Sequence, residues 1–295
     1  MTDNDYFIFI GDSIRLPQEM KEVQLTEKYL LKKANPQQVD MIKTDLKFTG
    51  NEMFYLLHFE SIGQKISPNY EDWNYWIIEH NETGSKFTIK LALLLSTCNL
   101  FSLFDKIGIS GRGNHKTGYH NFIIEKLNND VKEISQADII EIQEIYGLIE
   151  KVNKEEDRYP YINKALKDFW QLQAIPSESP FYILAMFSIL ETLLVPRDSR
   201  HKGRQLRTKL SKINKRLEHP MNFSEFFGRQ NFKTVILTLY TYRSDIAHGD
   251  FADFNEKLKI LVKPDTASIV IRKILKATLK QALKEPQYIN DLKNE

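Results

Sequence analysis

An arginine and a histidine near the end of the chain are the residues whose types and spacing best suit chemistry. Arg243 and His248 lie five residues apart in the segment 242–249, which reads Tyr-Arg-Ser-Asp-Ile-Ala-His-Gly. Arginine keeps its charge and can stabilise a negative phosphate, whereas histidine gains and loses a proton near neutral pH. Together they suit cleavage of an RNA phosphodiester, in which histidine moves a proton and arginine stabilises the charged transition state.

The residues around Arg243 repeat with helical period, so we expect a helix to position it. One stripe of that helix contains Phe232, Val235, Ile236, Leu239, Arg243, Ile246 and Ala247. Because Arg243 takes an apolar position, its guanidinium must find a partner or face a polar cleft. Five residues place His248 about 140° around an ideal helix from Arg243. The two side chains converge only if the helix ends or distorts between them, or if two copies face each other. Gly249 predicts that the helix ends after His248.

A second helix, predicted over residues 180–195 and opened by Ser179 and Pro180, also has one charge on an apolar stripe. That charge is Glu191, in line with Leu184, Phe187 and Leu194. Since Glu191 and Arg243 are lone opposite charges in one bundle, we expect a contact of about 2.7–3.2 Å between them. Such a pair either fixes the helix register or holds Arg243 toward a substrate phosphate, and we favour the second interpretation.

The R-x4-H spacing at the end of a long helix resembles the HEPN superfamily, and the string 242–249 looks like the Apea-like HEPN group. The resemblance covers roughly residues 160–285 and includes the trailing Gly249 and the segment Ile189-Leu190-Glu191. It implies a metal-independent endoribonuclease with a role in phage defence or as a toxin. It also implies a homodimer in which Arg and His of two protomers form a shared cleft. Ser244 stands where the family most often has Asn, Asp or His, and is counted in the catalytic set as a weaker partner.

Basic residues crowd the segment from Arg197 to Arg216, which has nine Lys or Arg and one acidic residue, Asp198. A solvated helix face is the ordinary interpretation, but surfaces that are merely solvated usually mix both signs. We therefore predict RNA backbone contacts. The residues predicted to make them are Arg200, Lys202, Arg204, Arg207, Lys209 and Lys212. Docking on the acidic first half of the chain stays open as an alternative.

The charge balance changes along the chain. Acidic residues outnumber basic ones in residues 1–160, and basic residues outnumber acidic ones in residues 161–295. A single cysteine, Cys98, excludes disulfides within the chain and cysteine-based zinc sites, and is typical of a reducing cytoplasm. The acidic N-terminus does not resemble a signal peptide, and the longest apolar runs are too short for a membrane span. The histidines lack the spacing of metal ligands, so we expect neither a metal nor another cofactor.

The patterning predicts an α+β N-terminal domain, residues 1–158, followed by an all-α HEPN-like helical bundle, residues 159–295. Strands are predicted at Tyr6–Ile10, Met53–Phe59, Trp73–Ile78 and Phe87–Leu91, with a hairpin turn at 81–84. A helix opened by Ser135 follows, with its apolar stripe running from Ile139 to Val152. We expect the N-terminal domain to sense a phage trigger, to restrain the nuclease or to bind a regulatory protein.

Other functions have weaker support in the sequence. A catalytically silent HEPN-like module could serve as a dimerisation or RNA-binding scaffold, which a His248 buried against backbone carbonyls would favour. Modification of nucleic acid by a metal-dependent transferase would need an acidic triad that the sequence lacks. The segment 108–117 resembles a phosphate-binding loop, but His115 takes a glycine position. Its basic residues, Arg112, His115, Lys116 and nearby His120, could instead form a mobile anion-binding loop.

Overall fold

The computed structural model describes residues 6–10, 13–17, 20–45, 74–81, 86–100, 102–107, 111–112, 131–177 and 179–295. The protein is a mixed α+β chain with a small N-terminal sheet and a mostly helical C-terminal part. It divides into two compact units, Met1–Gly147 and Leu148–Glu295. The division falls within one continuous helix, so the charged segment 155–160 belongs to the second unit.

The first unit contains a six-stranded antiparallel sheet. Its strands are β1 (Tyr6–Ile10), β3 (Glu22–Thr26), β4 (Tyr29–Lys33), β5 (Trp76–His80), β6 (Ser102–Ile107) and β7 (Gly111–Arg112). They lie in the order β3-β4-β5-β1-β6-β7. A separate parallel pair joins β2 (Ser13–Arg15) to β8 (Val131–Glu133). Four successive residues of β1, 7–10, are buried, as expected of a central strand covered on both faces.

The predicted strand at Phe87–Leu91 is wrong, because this segment begins helix α2 (Phe87–Leu95), after helix α1 over residues 36–45. The run ends in leucine and alanine, which have high helix propensity, and six residues of α2 are buried, so the helix is apolar around most of its surface. A buried helix of this kind has no clear period and looks like a buried strand. The predicted strand at Tyr6–Ile10 is confirmed, and that at Trp73–Ile78 is confirmed with shifted bounds, 76–80.

Some predicted elements lie outside the described residues. They are the strand Met53–Phe59, most of the turn at 81–84, and the glycine-rich segment 108–118 apart from the two residues of β7. The helix predicted after Ser135 is confirmed as α3 (Gln136–Lys154). The backbone N–H of Asp138 donates to the Ser135 hydroxyl at 3.2 Å, while the backbone N–H of Ser135 donates to the Asp138 carboxylate at 2.8 Å. This reciprocal cap fixes the start of α3.

The second unit is built from helices. After the end of α3 they are α4 (Pro160–Gln171), α5 (Pro180–Leu194), α6 (Lys202–Arg216), α7 (Ser224–Phe227), α8 (Phe232–His248), α9 (Pro264–Lys284) and α10 (Pro286–Asn294). Helix α5 is central and packs against α4, α6, α8, α9 and α10. No helix in the described part of the chain is long and apolar enough to cross a membrane.

Local signals explain the ends of the central helix. The Ser179 hydroxyl accepts a hydrogen bond from the backbone N–H of Phe181 at 3.3 Å, and Pro180 occupies the first helical position. Both features satisfy or remove backbone donors that have no partner within the helix. The helix stops at Val195, which is extended because Pro196 follows. The predicted helix is thus confirmed, and Glu191 lies in its last turn.

A buried lysine holds the C-terminal end of α5. The Nζ of Lys293, on α10, donates to the backbone carbonyls of Thr192 at 2.5 Å and Val195 at 3.1 Å. The same ammonium group lies 4.0 Å from the centre of the Tyr161 ring. A cation suits this place because the free carbonyls of a helix end carry partial negative charge. Lys293 thereby fixes the turn of α5 that carries Glu191.

The stability difference between the wild type and Lys293→Met should depend on pH. Burial, with the nearby Lys209 as a second cause, lowers the pKa of Lys293 from 10.5 to about 8. Between these values the unfolded chain binds more protons than the folded one, so the Lys293 contribution to stability rises with pH. We expect the free energy of unfolding of the wild type to rise by about 2 kcal/mol relative to Lys293→Met between pH 7 and pH 10. Urea unfolding at each pH measures it, and parallel curves would contradict the prediction.

Candidate active site

Helix α8 is continuous through both candidate catalytic residues. It begins after Asn231, whose side chain accepts from the backbone N–H of Thr234 at 2.9 Å, and runs to His248. Gly249 then takes a left-handed conformation with a φ of 72°, which confirms the predicted stop. The helix neither ends nor breaks between Arg243 and His248, so in one copy the two side chains leave different faces.

The predicted contact between Glu191 and Arg243 is present as an ion pair. The Nη2 atom of Arg243 lies 3.3 Å from Oε1 of Glu191, slightly beyond the range predicted for a hydrogen bond. The Arg243 side chain is 26% exposed to solvent and the Glu191 side chain 15% exposed, so the pair is largely removed from water. The Nε of Arg243 is fully buried and has no hydrogen-bond partner among the described residues. The guanidinium is therefore anchored at one end and keeps unused donor capacity.

Tyr240 completes this cluster and was not predicted. Its hydroxyl donates toward the same Glu191 oxygen at 3.5 Å, and the guanidinium carbon of Arg243 lies 5.6 Å from its ring centre. Phe187 of α5 meets the ring edge-on, with ring centres 5.7 Å apart. The sequence carried one signal for this residue, since positions three apart on a helix are neighbours.

The buried face of α8 differs from the predicted stripe in its last turn. Ala247 is exposed and Ile246 only half-buried, whereas Tyr242 and Asp245 are buried. The carboxylate of Asp245 accepts from Nζ of Lys257 at 2.5 Å, and Tyr242 packs edge-on against Phe254 with ring centres 5.0 Å apart. The segment after the helix folds back on α8 and covers these two residues. Asp245, a charged residue within the motif, is thus a structural anchor.

His248 is exposed at the end of α8, and in the described part of the chain no side chain or carbonyl hydrogen-bonds its ring. The arrangement expected of a scaffold, with the imidazole buried against carbonyls, is not present. Leu237, Thr241, Ser244 and His248 follow each other at helical spacing on one stripe. Leu237 is 49% exposed and Ser244 is half-buried. These four residues form the α8 stripe, in which Leu237 and His248 are exposed and Thr241 and Ser244 are half-buried in the described part of the chain.

The basic segment is only partly available for RNA. Arg200, Lys202 and Arg204 are exposed, and Arg207 is half-buried. Lys212 is exposed and forms an ion pair with Glu295.

The predicted RNA contact of Lys209 is wrong. Lys209 is 4% exposed, and its Nζ donates to the backbone carbonyl of Lys293 at 2.9 Å. Burial lowers the pKa of this lysine. Its place on α6 is beside Leu206, Leu210 and Ile213, so the helix turns it inward with the apolar stripe.

The outer face of α6 forms a basic ridge, only part of which was predicted from the sequence. Arg204, Thr208, Lys212 and Lys215 recur at intervals of four, four and three residues, and all are exposed. Lys215 was not among the predicted contacts. Helical spacing could have found it, since it lies in line with Arg204 and Lys212 once Lys209 is assigned to the inner face.

Removing Glu191 should destabilise the fold. Glu191→Ala leaves Arg243 partly buried without its partner, and we expect a cost of about 2 kcal/mol, below that of a fully buried pair because Arg243 keeps some solvent contact. Glu191→Gln keeps an acceptor and should cost about half as much. Chemical denaturation measures both. Glu156→Ala, which removes the exposed pair with Lys167, is the matched control and should cost less than about 0.5 kcal/mol. Equal losses for Glu191→Ala and this control would contradict the prediction.

Comparison with known proteins adds no homologue to this picture: no family model, no curated protein and no solved structure matches the chain. Among the described residues there is no group of three or more His, Cys, Asp or Glu side chains that could hold a metal ion.

Proposed function

We propose that the protein is a metal-independent endoribonuclease of the HEPN type that acts as a homodimer, with a shared cleft formed by Arg243 of one protomer and His248 of the other. The observation that carries the proposal is the uninterrupted course of α8 through both residues. It presents an anchored guanidinium and an exposed imidazole on different faces, so one copy cannot direct both at the same phosphate. Two facing copies can.

The reaction needs no group beyond the chain, its RNA and water, which carries whichever of the two protons His248 does not move. The ribose 2′-hydroxyl attacks phosphorus, the bond to the 5′-oxygen breaks, and a 2′,3′-cyclic phosphate and a 5′-hydroxyl form. His248 accepts the proton of the 2′-hydroxyl or donates one to the leaving oxygen. Arg243 stabilises the additional negative charge on the phosphate, and Glu191 holds it in place. Ser244, half-buried on the α8 stripe, serves as an auxiliary polar contact to the RNA.

The α8 stripe is the surface that we assign to dimerisation. It joins the exposed Leu237 to His248, and Phe251, which is 90% exposed, follows just after the helix. Apolar side chains this exposed are a cost in water that a second copy would remove. A two-fold axis beside this stripe would bring His248 of one copy toward Arg243 of the other.

The basic ridge of α6 supports RNA as the substrate. Gly203, in its first turn, lies against Tyr240, so the basic start of α6 neighbours the arginine cluster. Lys202 and Arg204 flank this glycine and are exposed. Phosphates bound along the ridge would thus lead toward Arg243.

Charge reversal on the ridge should weaken RNA binding and flatten its salt dependence. For Arg204→Glu with Lys215→Glu we expect the slope of log K against log salt to fall by about 1 to 2 for single-stranded RNA. Affinity at low salt should fall by about tenfold or more. Fluorescence anisotropy with a labelled RNA measures both. Lys164→Glu on α4, an exposed lysine paired with Asp168, is the control and should leave the slope unchanged. The same loss in both variants would count against the ridge.

The test of the function is direct. Purified protein should cut RNA in EDTA, leave 2′,3′-cyclic phosphate or 3′-phosphate ends, and sediment as a dimer at micromolar concentration. The protein could instead be a monomer that binds RNA without cutting it, even with each candidate trigger and partner supplied. That result would contradict the nuclease function and support an RNA-binding scaffold. A cytoplasmic role in phage defence or as a toxin, controlled by a regulatory protein or phage trigger through the N-terminal unit, belongs to the same proposal.

A further inference from the structure

Tyr240 is contacted by groups from two other helices, α5 and α6. Besides the edge-on contact with Phe187 and the hydroxyl contact with Glu191, its ring lies against the backbone of Gly203 on α6. A Cβ atom added at Gly203 would lie 2.5 Å from Cε1 of the ring, closer than real Cβ atoms come to their neighbours. Alanine has the higher helix propensity of the two residues, so the ring explains a glycine here.

Tyr240 and Arg243 share one anchor. Oε1 of Glu191 accepts from the hydroxyl of Tyr240 and forms the ion pair with Nη2 of Arg243. The tyrosine ring packs beside the guanidinium. Burial, followed by the negative Glu191, raises the pKa of Tyr240, so its phenol stays neutral and donates toward the carboxylate. The ring thus packs against a guanidinium whose Nε is buried and has no hydrogen-bond partner among the described residues.

We propose that Tyr240 is a positioning residue that fixes the orientation of the Arg243 guanidinium for RNA cleavage, and that Gly203 is required because a side chain there would displace the ring. The inference rests on the proposed function for its catalytic part. The placement of Arg243 itself can be measured without RNA. The contact between Tyr240 and Gly203 also links the basic helix α6 to Arg243, since a shift of α6 at Gly203 would move the tyrosine ring.

The first experiment compares Tyr240→Leu, which removes ring and hydroxyl, with Tyr240→Phe, which keeps the ring. In nitrogen-15 spectra the Nε–H signal of Arg243, assigned with Arg243→Lys, should exchange at least about tenfold faster with solvent in Tyr240→Leu than in the wild type. Tyr240→Phe should stay close to the wild type. Tyr288→Leu is the matched control, because it removes a tyrosine ring whose centre lies 4.4 Å from the guanidinium carbon of another arginine, Arg216. It should leave the Arg243 signal unchanged.

The second measurement is RNA cleavage. Tyr240→Leu should lower kcat by about tenfold or more and change KM by less than about twofold, because the ring acts on the arginine and not on RNA binding. Tyr240→Phe should restore most of the rate. If the wild type cuts no RNA while the Arg243 signal responds as expected, the result supports the placement of Arg243 by Tyr240 and contradicts the proposed nuclease function. An unchanged Arg243 signal in Tyr240→Leu overturns the positioning role whether or not RNA is cut.

A size exchange tests Gly203 even if the single variant folds poorly. Gly203→Ala should lower Tm in the wild-type background and have no such effect in the Tyr240→Leu background, where the space is free. Non-additivity of this sign supports the contact. Equal effects of Gly203→Ala in the two backgrounds would remove Gly203 from the proposal.

Discussion

A His248→Ala variant is expected to lose RNA cleavage by about 10²- to 10⁴-fold, the usual contribution of a positioned acid or base. Its fold and RNA affinity should stay close to those of the wild type. The imidazole is exposed and hydrogen-bonds no other residue that the structure describes, so its removal breaks no packing. Imidazole moves protons in the proposed reaction, whereas the basic ridge binds the RNA phosphates. Single-turnover cleavage, anisotropy and thermal unfolding of the two proteins separate these effects.

The matched control is His219→Ala, which removes another exposed histidine of the same unit and should cut RNA at the wild-type rate. Arg243→Ala should also lose cleavage, but with reduced stability, because Glu191 then keeps no cationic partner at that site. Equal rates of RNA cleavage by His248→Ala and the wild type would falsify the catalytic role of the histidine. A catalytically silent scaffold would then be the better interpretation of this domain.

Mixing two inactive variants is expected to restore activity. Equal amounts of Arg243→Ala and His248→Ala protein, exchanged through monomers, should give about a quarter of the wild-type rate. About half of the dimers are mixed, and each mixed dimer has one intact site with Arg243 from one chain and His248 from the other. Each variant alone has none. Recovery from zero makes this the most decisive measurement of a shared cleft.

Two controls make the mixing experiment interpretable. Neither variant should recover when it is carried through the same exchange alone, and a mixture of His248→Ala with the double variant Arg243→Ala and His248→Ala should stay inactive. Sedimentation after exchange must show dimers. If mixed dimers form and remain inactive, Arg243 and His248 do not complement each other across the interface.

The parts of the site that follow from local pattern could be predicted from the sequence. The helical repeat up to Leu239 located α8, Gly249 located its end, and single charges on two apolar stripes predicted the pair of Glu191 and Arg243. In each case the cause is local geometry, because spacing on a helix fixes which side chains share a face.

The parts that depend on distant contacts could not be predicted. Lys209 belonged to a segment rich in basic residues, and the carbonyl that accepts from its buried Nζ lies 84 residues away in the chain. The contact of Tyr240 with Gly203 likewise joins two helices whose approach no sequence spacing encodes. Helix α2 was missed for another reason, since a short run apolar on all sides carries no period to distinguish it from a strand.

The unbroken course of α8 has a consequence for dosage. If each cleft needs an arginine from one chain and a histidine from another, activity at low expression grows with the square of the protein concentration. Doubling the amount of protein would then raise the rate of RNA loss about fourfold, and halving it would lower the rate equally steeply. A cell could thus hold a basal supply of single chains at little cost to its RNA, while a modest rise in supply would commit it to rapid degradation.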